Sequence, residues 1–446
     1  MKENVTTIKE YPFTYDGAKL LFKDNKGIDW PVVYILSGIK NNKSIAYVGE
    51  TSSAYTRMNQ HLDNKERKCM LKEYVLFNDT FNKSAILDIE NMLIEHMNAD
   101  TVFDSLQNLN KGQSKFHNYY QRGVYKELFK DIWNSLRKLG LAKLNQNQIE
   151  NSEIFKYSPF KQLTSEQYDL ELKLLDDVID SLNTNTKKEI IIEGGAGTGK
   201  SVLAISLIKY ILDILENNID FSDLETFELI EDSTNFIKLN SELSKYKNIS
   251  IAFVAPVKEF RETIKKVFKK LKLSKKIKID VVSAVDLTKK DGGYDIVLVD
   301  EAHHLGTYAK ATSHSSFKEG CFRLGFNDYY NTTQLDWVIK QAKYITILFY
   351  DRKQSTSAVD VKESDFISLI NKKGNKIYNI NNQIRLLAGA EYISYWYDLL
   401  KNNTSKDAPS IKYTGYDFKI YDDSKKMLED IKRKDNDLGL EGFKKR

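Results

Sequence analysis

The stretch IIIEGGAGTGKSVL, residues 190–203, decides the fold of the larger part of the chain. Its three opening isoleucines are β-branched and apolar, which is typical of a strand buried on both faces. Glycines then end the strand, and a helical pattern begins at about Lys200. A strand, a glycine-rich loop and a helix in this order predict a loop whose backbone N–H groups wrap around phosphates.

The loop satisfies G-x-x-x-x-G-K-[ST] at every required position. In this pattern the lysine reaches the β- and γ-phosphates of a nucleotide, and the serine hydroxyl holds Mg²⁺. We therefore predict a site for ATP and Mg²⁺. The residues assigned to it are Gly194, Gly195, Ala196, Gly197, Thr198, Gly199, Lys200 and Ser201.

Length and composition set outer limits on the architecture. The chain has 446 residues, which suggests about three units at ~150 residues each. Its two cysteines, Cys69 and Cys321, form neither a disulfide framework nor a C-x-x-C pair. No apolar run approaches ~18 residues, and the N-terminal residues lack the apolar core of a leader. We predict a cytoplasmic protein with no membrane partner.

Net charge alone does not identify a partner, because +5 arises from 67 basic and 62 acidic residues. One local patch is strongly basic: residues 265–278 contain eight lysines in fourteen positions. This patch fits a contact with a nucleic-acid backbone. It equally fits the solvated face of a packed helix, since Phe260, Ile264 and Phe268 fall at helical spacing. Both interpretations stay open.

The first 144 residues carry a different pattern. Residues 31–37 and 44–48 predict two short strands joined by a turn at 41–43, with one tyrosine in each strand. Helices are predicted at 55–62 and 84–97. The first helix places Arg57 and His61 one turn apart on the same face, and the second carries Glu90.

These residues resemble the signature of the GIY-YIG nuclease family over about residues 28–120. Val32-Val33-Tyr34 stands for the first tripeptide and Tyr47-Val48-Gly49 for the second, with Val for Gly once and Val for Ile in both. Arg57, His61 and Glu90 follow in the family order. Asn108 or Asn110 corresponds to a late family asparagine, and the sequence does not choose between them.

Phosphodiester hydrolysis requires an activated water, a counter-charge for the phosphoryl oxygens and a stabilised leaving oxygen. Glu90 is the predicted ligand of a catalytic Mg²⁺. Arg57 is predicted to contact a phosphate oxygen. Tyr34, Tyr47 and His61 are predicted to orient or deprotonate the water, with their separate roles left open.

Three more buried strands are predicted after the phosphate loop, at 251–255, 296–299 and 345–350. Strands that alternate with helices predict a parallel α/β sheet whose ligand lies at the carboxyl edge. Asp300 and Glu301 follow the 296–299 strand at that edge. We assign Asp300 to Mg²⁺ and Glu301 to the water that attacks the γ-phosphate.

Further motifs extend this pattern. Thr164 is a predicted N-cap, and Gln167 lies three residues on, where a capping box places it. The Gln167 amide also matches the edge of adenine, with a plain capping box as the alternative. Gln354 follows the 345–350 strand as a candidate γ-phosphate sensor. The order of these motifs resembles superfamily 1 helicases, and more closely the bacterial Schlafen-like group 3 helicases, over about residues 160–440. That resemblance implies that Arg385 approaches the γ-phosphate from a second lobe.

The predicted fold class is α/β: a small GIY-YIG-like nuclease domain, then a RecA-like parallel-sheet P-loop ATPase core and a partial second lobe. The predicted boundaries are 1–27 for a lead segment, 28–144 for the nuclease, 145–159 for a polar linker, 160–378 for the ATPase lobe and 379–446 for the second lobe. The second lobe is short for its family, so we expect a partner chain, a natural truncation or a fragment.

The leading functional hypothesis is a metal-dependent endonuclease coupled to a helicase-like ATPase that acts on DNA, in bacterial defence against phage. One alternative is an ATP-dependent nucleic-acid-binding module that positions the nuclease or recruits a partner without motor activity. Another is an RNA substrate, because a phosphate is recognised without its sugar.

Overall fold

A computed structural model describes residues 5–108, 119, 121–215, 233–246, 248–270, 277–354, 358–382, 395–396, 399 and 419–437. The chain divides into two compact units, which are described separately. The first comprises Met1–Leu172, Ile205–Lys247 and Glu262–Lys276, and the second comprises Lys173–Ala204, Asn248–Arg261 and Ile277–Arg446.

The first unit contains a five-stranded sheet in the order β1-β4-β2-β3-β5. All neighbouring pairs are antiparallel except β3 and β5. The strands are β1 (Thr7–Pro12), β2 (Val32–Lys40), β3 (Lys43–Thr51), β4 (Met70–Phe77) and β5 (Ser105–Leu106).

The predicted hairpin is confirmed as β2 and β3, which pair from Val32↔Thr51 to Lys40↔Lys43. Asn41 and Asn42 form its turn with φ of 52° and 59°. Asparagine tolerates this left-handed conformation, and two such residues give the turn that matches the twist of paired strands. The turn fixes the register, and the register decides which face each tyrosine occupies.

The α-helices with both ends among the described residues are, in order, α1 (Tyr15–Phe22), α2 (Asn25–Ile28), α3 (Ala54–Asp63), α4 (Lys83–Ala99), α5 (Arg122–Lys138), α6 (Gln146–Glu150), α7 (Glu153–Lys156), α8 (Ser165–Thr184), α9 (Lys200–Leu215), α10 (Ser233–Leu243), α11 (Lys258–Lys270), α12 (Ala284–Leu287), α13 (His314–Arg323), α14 (Gln334–Gln341), α15 (Glu363–Ile370) and α16 (Ser424–Asp437).

Both faces of the first sheet are covered. One face packs Val33, Ile35 and Val48 against the apolar sides of α4 and α5. The other packs Tyr34 and Tyr47 with side chains from α1 and α3. The sheet is therefore buried in the middle of a three-layer unit.

The segment predicted as a polar linker contains two short helices, α6 and α7. Asn145 caps α6 through a capping box with Gln148. Ile149 is fully buried in the core formed with α4 and α5. Ile149 anchors the segment to the core. The polar side chains of Asn145 and Gln148 form hydrogen bonds to the backbone N–H groups at the start of α6. The domain boundaries themselves stay predictions.

The second unit contains a six-stranded sheet in the order β11-β6-β10-β9-β7-β8, and every pair is parallel. The predicted parallel α/β class is confirmed. The strands are β6 (Lys188–Gly194), β7 (Ser250–Val254), β8 (Lys278–Val282), β9 (Tyr294–Val299), β10 (Ala342–Tyr350) and β11 (Lys376–Ile380).

Parallel pairing brings the carboxyl ends of these strands to one edge. The central strands have largely apolar middle residues, and Ile190, Ile192 and Ile347 have no exposed surface. The phosphate loop follows β6, the acidic pair follows β9, and Asp351 follows β10. Because β10 lies between β6 and β9, these three segments meet at one edge of the sheet.

The sequence also predicts a helical insertion at residues 213–248, helices at 391–401 and 424–434, and a strand at 417–421. A helix in the 213–248 insertion is confirmed at α10, and a helix from Ser424 is confirmed as α16. Residues 419–421 lie outside any strand, so the described part of the strand predicted at 417–421 is wrong. Most of the helix predicted at 391–401 lies outside the described residues. Across the described part of the chain, no helix combines the length and apolarity required to cross a bilayer.

Candidate functional site

Two clusters of polar residues lie where the sequence predicted functional sites. The first is on the sheet of the first unit. Tyr34 on β2 and Tyr47 on β3 project from the same face, with ring centroids 6.2 Å apart. Gly49 lies directly opposite Tyr34 in the register. A Cβ on Gly49 would be 2.3 Å from the Tyr34 hydroxyl, so only glycine leaves room for this ring.

Tyr34 is the hydrogen-bonding centre of this cluster. Its hydroxyl lies 2.7 Å from His61 Nε2 and accepts a hydrogen bond from Arg57 Nε at 3.2 Å. Burial lowers the pKa of His61 to about 2, and the nearby Arg57 guanidinium adds to this effect. The imidazole is thus neutral at ordinary pH. In the tautomer with Nδ1 protonated, its Nε2 accepts the Tyr34 hydroxyl proton.

Two arginines contact Tyr47. Arg57 hydrogen-bonds the Tyr47 side chain as well as Tyr34. The Arg67 guanidinium lies 3.9 Å from the centroid of the Tyr47 ring and donates to Gln107 Oε1 at 2.7 Å. Burial raises the pKa of Tyr47, and the charge of Arg67 opposes this. Arg67 is a member of the cluster that sequence reasoning missed, because it lies in a short 3₁₀ turn outside the family spacing.

Glu90 on α4 lies near a second charged pair. The Lys83 ammonium donates to both carboxylate oxygens of Glu50 at 2.8 Å. Burial raises the pKa of Glu90 well above its usual value, and the Glu50 carboxylate raises it further, while Lys83 and Arg57 lower it. Burial and the Glu50 carboxylate thus favour the protonated form of Glu90, and a bound cation would favour its anion.

These donors fit the predicted Mg²⁺, because carboxylate oxygens are its preferred protein ligands and the ion keeps several waters. Within the described ranges no set of three or more His, Cys, Asp or Glu side chains is arranged as a metal cage. A single-carboxylate site completed by water is the arrangement that agrees with both observations.

Glu73 on β4 lies on the same face as the tyrosines and was also missed. It has no exposed surface, and neither carboxylate oxygen has a hydrogen-bond partner among the described residues. Burial alone raises the pKa of Glu73 to about 8. Its charge contributes to the raised pKa of both Tyr11 and Tyr34.

The structure describes one of the two candidate asparagines. Asn108 Oδ1 accepts from the Val48 amide at 2.9 Å, and its Nδ2 donates to the Val48 carbonyl at 2.6 Å. These two bonds satisfy the Val48 backbone as a neighbouring strand would, and they fix the part of β3 that carries Tyr47. Asn110 lies outside the described residues.

The second cluster is the phosphate loop between β6 and α9. Gly197 and Gly199 have φ of 80° and 81°, conformations in which glycine is favoured. The Thr198 hydroxyl donates to the Gly195 carbonyl at 2.9 Å, and a Cβ on Gly194 would be 2.8 Å from that hydroxyl oxygen. The glycines thus permit a tight loop that side chains would obstruct.

Lys200 occupies the inside of this loop. Its ammonium donates to the carbonyls of Gly194 at 2.7 Å and Gly195 at 3.0 Å, and lies 3.9 Å from an Asp351 carboxylate oxygen. Two loop carbonyls thus hold the Lys200 side chain on the inside of the loop. It is positioned to exchange these oxygens for those of a phosphate.

Ser201 and the acidic pair meet across the sheet edge. The Ser201 hydroxyl donates to Asp300 Oδ2 at 2.7 Å, while Asp300 Oδ1 has no hydrogen-bond partner in the described structure. Burial raises the pKa of Asp300 to about 7, with Glu301 adding to the effect and Ser201 opposing it. Mg²⁺ prefers hard oxygen ligands. The Asp300 carboxylate, with Oδ1 unpartnered and Oδ2 bonded to the Ser201 hydroxyl, fits this ion.

Glu301 has a left-handed backbone, with φ of 51°. Its carboxylate lies 3.1 Å from His303 Nε2. The Asp351 amide donates to His303 Nδ1 at 3.3 Å, so in this tautomer Nε2 carries the proton that faces Glu301. Burial lowers the pKa of His303 to about 4. Neutral His303 therefore lies against Glu301 without an ion pair, and neither His303 Nε2 nor Glu301 Oε2 has a hydrogen-bond partner among the described residues.

Asp351 links the remaining members of this site. Gln354 Nε2 donates to Asp351 Oδ2 at 2.6 Å, and the same carboxylate faces Lys200. Gln354 is thus connected to the phosphate loop through Asp351. The sequence placed Gln354 at this edge but gave Asp351 no function, because an aspartate after a strand is common.

Two other predicted ligands have limited structural support. The capping box at Thr164 is present: Gln167 N–H donates to the threonine hydroxyl at 3.2 Å, and Gln167 Oε1 accepts from the Thr164 amide at 3.0 Å. The proposed contact of Gln167 with adenine stays a prediction. Arg385 lies outside the described residues.

The lysine-rich segment begins on α11. Ile264, Val267 and Phe268 are buried, while Lys265 and Lys269 are exposed. The helix is therefore amphipathic as predicted, and its lysines form a solvated face. Residues 271–276 lie outside the described residues, and a contact with nucleic acid stays a prediction.

Family comparisons agree with both clusters. The model for the Schlafen group 3, DNA/RNA helicase domain matches residues 187–442, more than half of the chain, and the chain belongs to this family. The model for the GIY-YIG catalytic domain matches residues 31–101. The predicted fusion of a nuclease-type domain with a helicase-type domain is confirmed.

Comparisons with individual proteins are weaker. An uncharacterized protein of Saccharomyces cerevisiae, YPL245W, is 27% identical over 274 residues, which cover 56% of this chain and 52% of that protein. The chain thus spans about half the length of this curated relative. A solved structure of C. elegans PCH-2 is 12% identical and covers 54% of this chain and 52% of that chain, with a TM-score of 0.20. A similarity of this size carries no conclusion about fold.

Proposed function

We propose that the chain is a Mg²⁺-dependent endonuclease coupled to an ATPase of the superfamily 1 helicase type, with DNA as the preferred substrate. The carrying observation is the bonded set Arg57–Tyr34–His61 on the sheet that also holds Tyr47. Its site residues coincide with the GIY-YIG match.

In this proposal Arg57 provides the fixed positive charge for a non-bridging phosphate oxygen. Its guanidinium stays charged because the two tyrosines raise its pKa against the effect of burial. Tyr34 and His61 orient the attacking water as a pair: neutral His61 holds the Tyr34 hydroxyl through the 2.7 Å hydrogen bond, and the Tyr34 oxygen accepts a hydrogen bond from the water. Tyr47, held between two arginines, orients the phosphate.

Glu90 is assigned to the metal ion, which when bound supplies charge for the departing oxygen. The residues suit this task because the Glu90 carboxylate is disfavoured as a free anion by burial and by Glu50. Lys83 holds Glu50 in place by two hydrogen bonds.

The second activity proposed is ATP hydrolysis. Lys200 contacts the phosphates, Ser201 and Asp300 hold Mg²⁺, and Glu301 takes the proton of the attacking water. The 2.7 Å bond between Ser201 and Asp300 supports this assignment, since it brings the loop and the acidic pair together. Gln167, Gln354 and Arg385 are further proposed nucleotide contacts.

The test is a cleavage assay with the full chain on matched DNA and RNA, with and without ATP and Mg²⁺. We expect Mg²⁺-dependent cleavage that Glu90→Gln abolishes, because one carboxylate holds the ion. Glu127→Gln, an exposed glutamate on α5, serves as the matched control and should cleave normally. Undiminished cleavage by Glu90→Gln refutes the assignment, and faster cleavage of RNA reverses the substrate preference.

The proposed role in defence against phage is inferred from family resemblance alone. A plaque assay in a bacterial host that expresses the chain tests it. Protection should require both Glu90 and Lys200, and equal plaque numbers with and without the chain would remove this part of the proposal.

A further inference from the structure

Arg67 is a buried cation in the first unit. Only 5% of its surface is exposed. Its Nε has no hydrogen-bond partner among the described residues, and no carboxylate of the described chain forms an ion pair with it. A charged group that leaves water without a counter-ion costs free energy of folding. Stability alone would therefore favour an uncharged side chain at this position.

The backbone at the end of α3 places Arg67. The helix is followed directly by the 3₁₀ turn Lys65–Arg67. The Asn64 side chain caps this turn by accepting from the Glu66 amide at 2.9 Å, and the Arg67 amide donates to the Asn64 carbonyl at 3.1 Å. Because α3 also carries Arg57, both arginines of the site lie on one continuous segment of backbone.

Gln107 holds the Arg67 guanidinium from the edge of the sheet. Arg67 Nη1 donates to Gln107 Oε1 at 2.7 Å. Gln107 follows β5, and its amide donates to the Ala46 carbonyl on β3 at 2.7 Å. Ala46 directly precedes Tyr47, so Gln107 is anchored to the same strand as this tyrosine. The guanidinium lies 3.9 Å from the Tyr47 ring centroid, which is a direct cation–π contact.

The charge of Arg67 distinguishes the two tyrosines of the site. Burial raises the pKa of Tyr47, and among the charges that oppose this effect Arg67 is the strongest. Burial also raises the pKa of Tyr34, but there the opposing charge is Arg57. Arg57 donates to the Tyr47 oxygen as well, and an oxygen that accepts in this way still has its phenolic proton to donate. A phenol made more acidic by a nearby cation donates a stronger hydrogen bond to an anionic oxygen.

We propose that Arg67 is a positioning residue for phosphodiester cleavage, which holds the Tyr47 ring and strengthens the Tyr47 hydroxyl as a hydrogen-bond donor to a non-bridging phosphate oxygen. Negative charge on that oxygen grows as water attacks, so the stabilisation is larger in the transition state than in the bound ground state. Arg67 acts from beneath Tyr47 and does not contact the phosphate. The inference rests on the proposed function, because it assigns a further residue to the same cleavage site.

The test measures kcat and KM for the cleavage of duplex DNA by the full chain in Mg²⁺. Arg67→Met, which keeps the length of the side chain and removes its charge, should lower kcat about tenfold and leave KM within about twofold. Arg67→Lys keeps the charge and should restore most of the lost rate. In urea, the denaturation midpoint of Arg67→Met should equal or exceed that of the wild type, because the variant removes an uncompensated buried charge.

Two further variants show through which group Arg67 acts. Tyr47→Phe removes the hydroxyl, so Arg67→Met should cause no additional loss of kcat in the Tyr47→Phe background. Arg137→Met is the matched control, because Arg137 is an exposed arginine on α5 of the same unit, and it should cleave as the wild type does.

The outcomes separate this inference from the proposed function. An unchanged kcat in Arg67→Met, with Glu90→Gln inactive, overturns the inference and leaves the proposed function intact. An additional tenfold loss in the Tyr47→Phe background also overturns it, because Arg67 would then act through another group. A lowered denaturation midpoint in Arg67→Met, with no recovery of the rate in Arg67→Lys, makes the role structural and the inference wrong. If the wild type cleaves neither DNA nor RNA, the inference fails together with the proposed function.

Discussion

Substituting Glu73 with methionine should remove a pH dependence from the stability of the first unit. Glu73 is fully buried, and its carboxylate has no hydrogen-bond partner among the described residues. Burial raises the pKa of Glu73 from 4.5 to about 8. Methionine has a similar length and no charge, so it fills the site without the titrating group.

The direction of the effect follows from the two pKa values. Between pH 4.5 and about pH 8 the folded chain holds a proton on Glu73 that the unfolded chain releases. The free energy of unfolding therefore falls as the pH rises through this window. At about 1.4 kcal/mol for each pKa unit, the wild type should lose roughly 3 kcal/mol between pH 5 and pH 8 through this residue.

The assay is urea denaturation of the full chain at pH 5, 6, 7 and 8, comparing wild type with Glu73→Met. Groups that titrate identically in both proteins cancel in the difference, which should grow in favour of the variant by about 3 kcal/mol. Glu10→Met is a control on the same sheet, because Glu10 is half exposed and paired with Lys72. A difference between wild type and Glu73→Met that is independent of pH would refute the protonated, buried Glu73.

Three further substitutions test the two sites. Gly49→Ala should lose cleavage and about 1–3 kcal/mol of stability, because its Cβ would overlap a tyrosine hydroxyl. Gly123→Ala should keep both cleavage and stability, because a Cβ there meets nothing within 4 Å. Equal melting curves for Gly49→Ala and the wild type would contradict the steric argument. Asn108→Ala should lower the free energy of unfolding by about 1–3 kcal/mol, since a buried backbone amide and carbonyl lose their partners; an unchanged denaturation midpoint would count against this. Lys200→Ala should abolish ATP binding measured by calorimetry. Lys289→Ala, at an exposed lysine, should bind ATP normally. Equal ATP affinity of Lys200→Ala and the wild type would exclude the phosphate loop as the nucleotide site.

The sequence predicted those parts of the fold whose local signals agree. A pair of asparagines fixed the β2–β3 hairpin, and runs of β-branched residues marked the parallel strands. The polar composition of the predicted linker segment did not indicate its two short helices, because the burial of Ile149 depends on a core formed with α4 and α5.

The candidate sites were only partly predictable. Motif spacing identified residues within a single element, such as Arg57 and His61 on α3. It missed Arg67, Asp351 and His303, whose positions depend on which strands become neighbours. Glu73 carried a signal, since it alternates with Val75 and Phe77 on the buried face of β4, but strand alternation does not show whether a buried carboxylate finds a partner.

The left-handed backbone of Glu301 sets stability against the proposed catalytic role at a single position. For a residue with a Cβ, this conformation costs about 1 kcal/mol, and glycine or asparagine adopts it more easily. Selection for thermal stability alone should therefore replace Glu301, and deep sequencing of a library selected only for folding would record this. A library that retains glutamate at position 301 must have been selected for turnover. The residue found there therefore distinguishes selection for folding from selection for turnover.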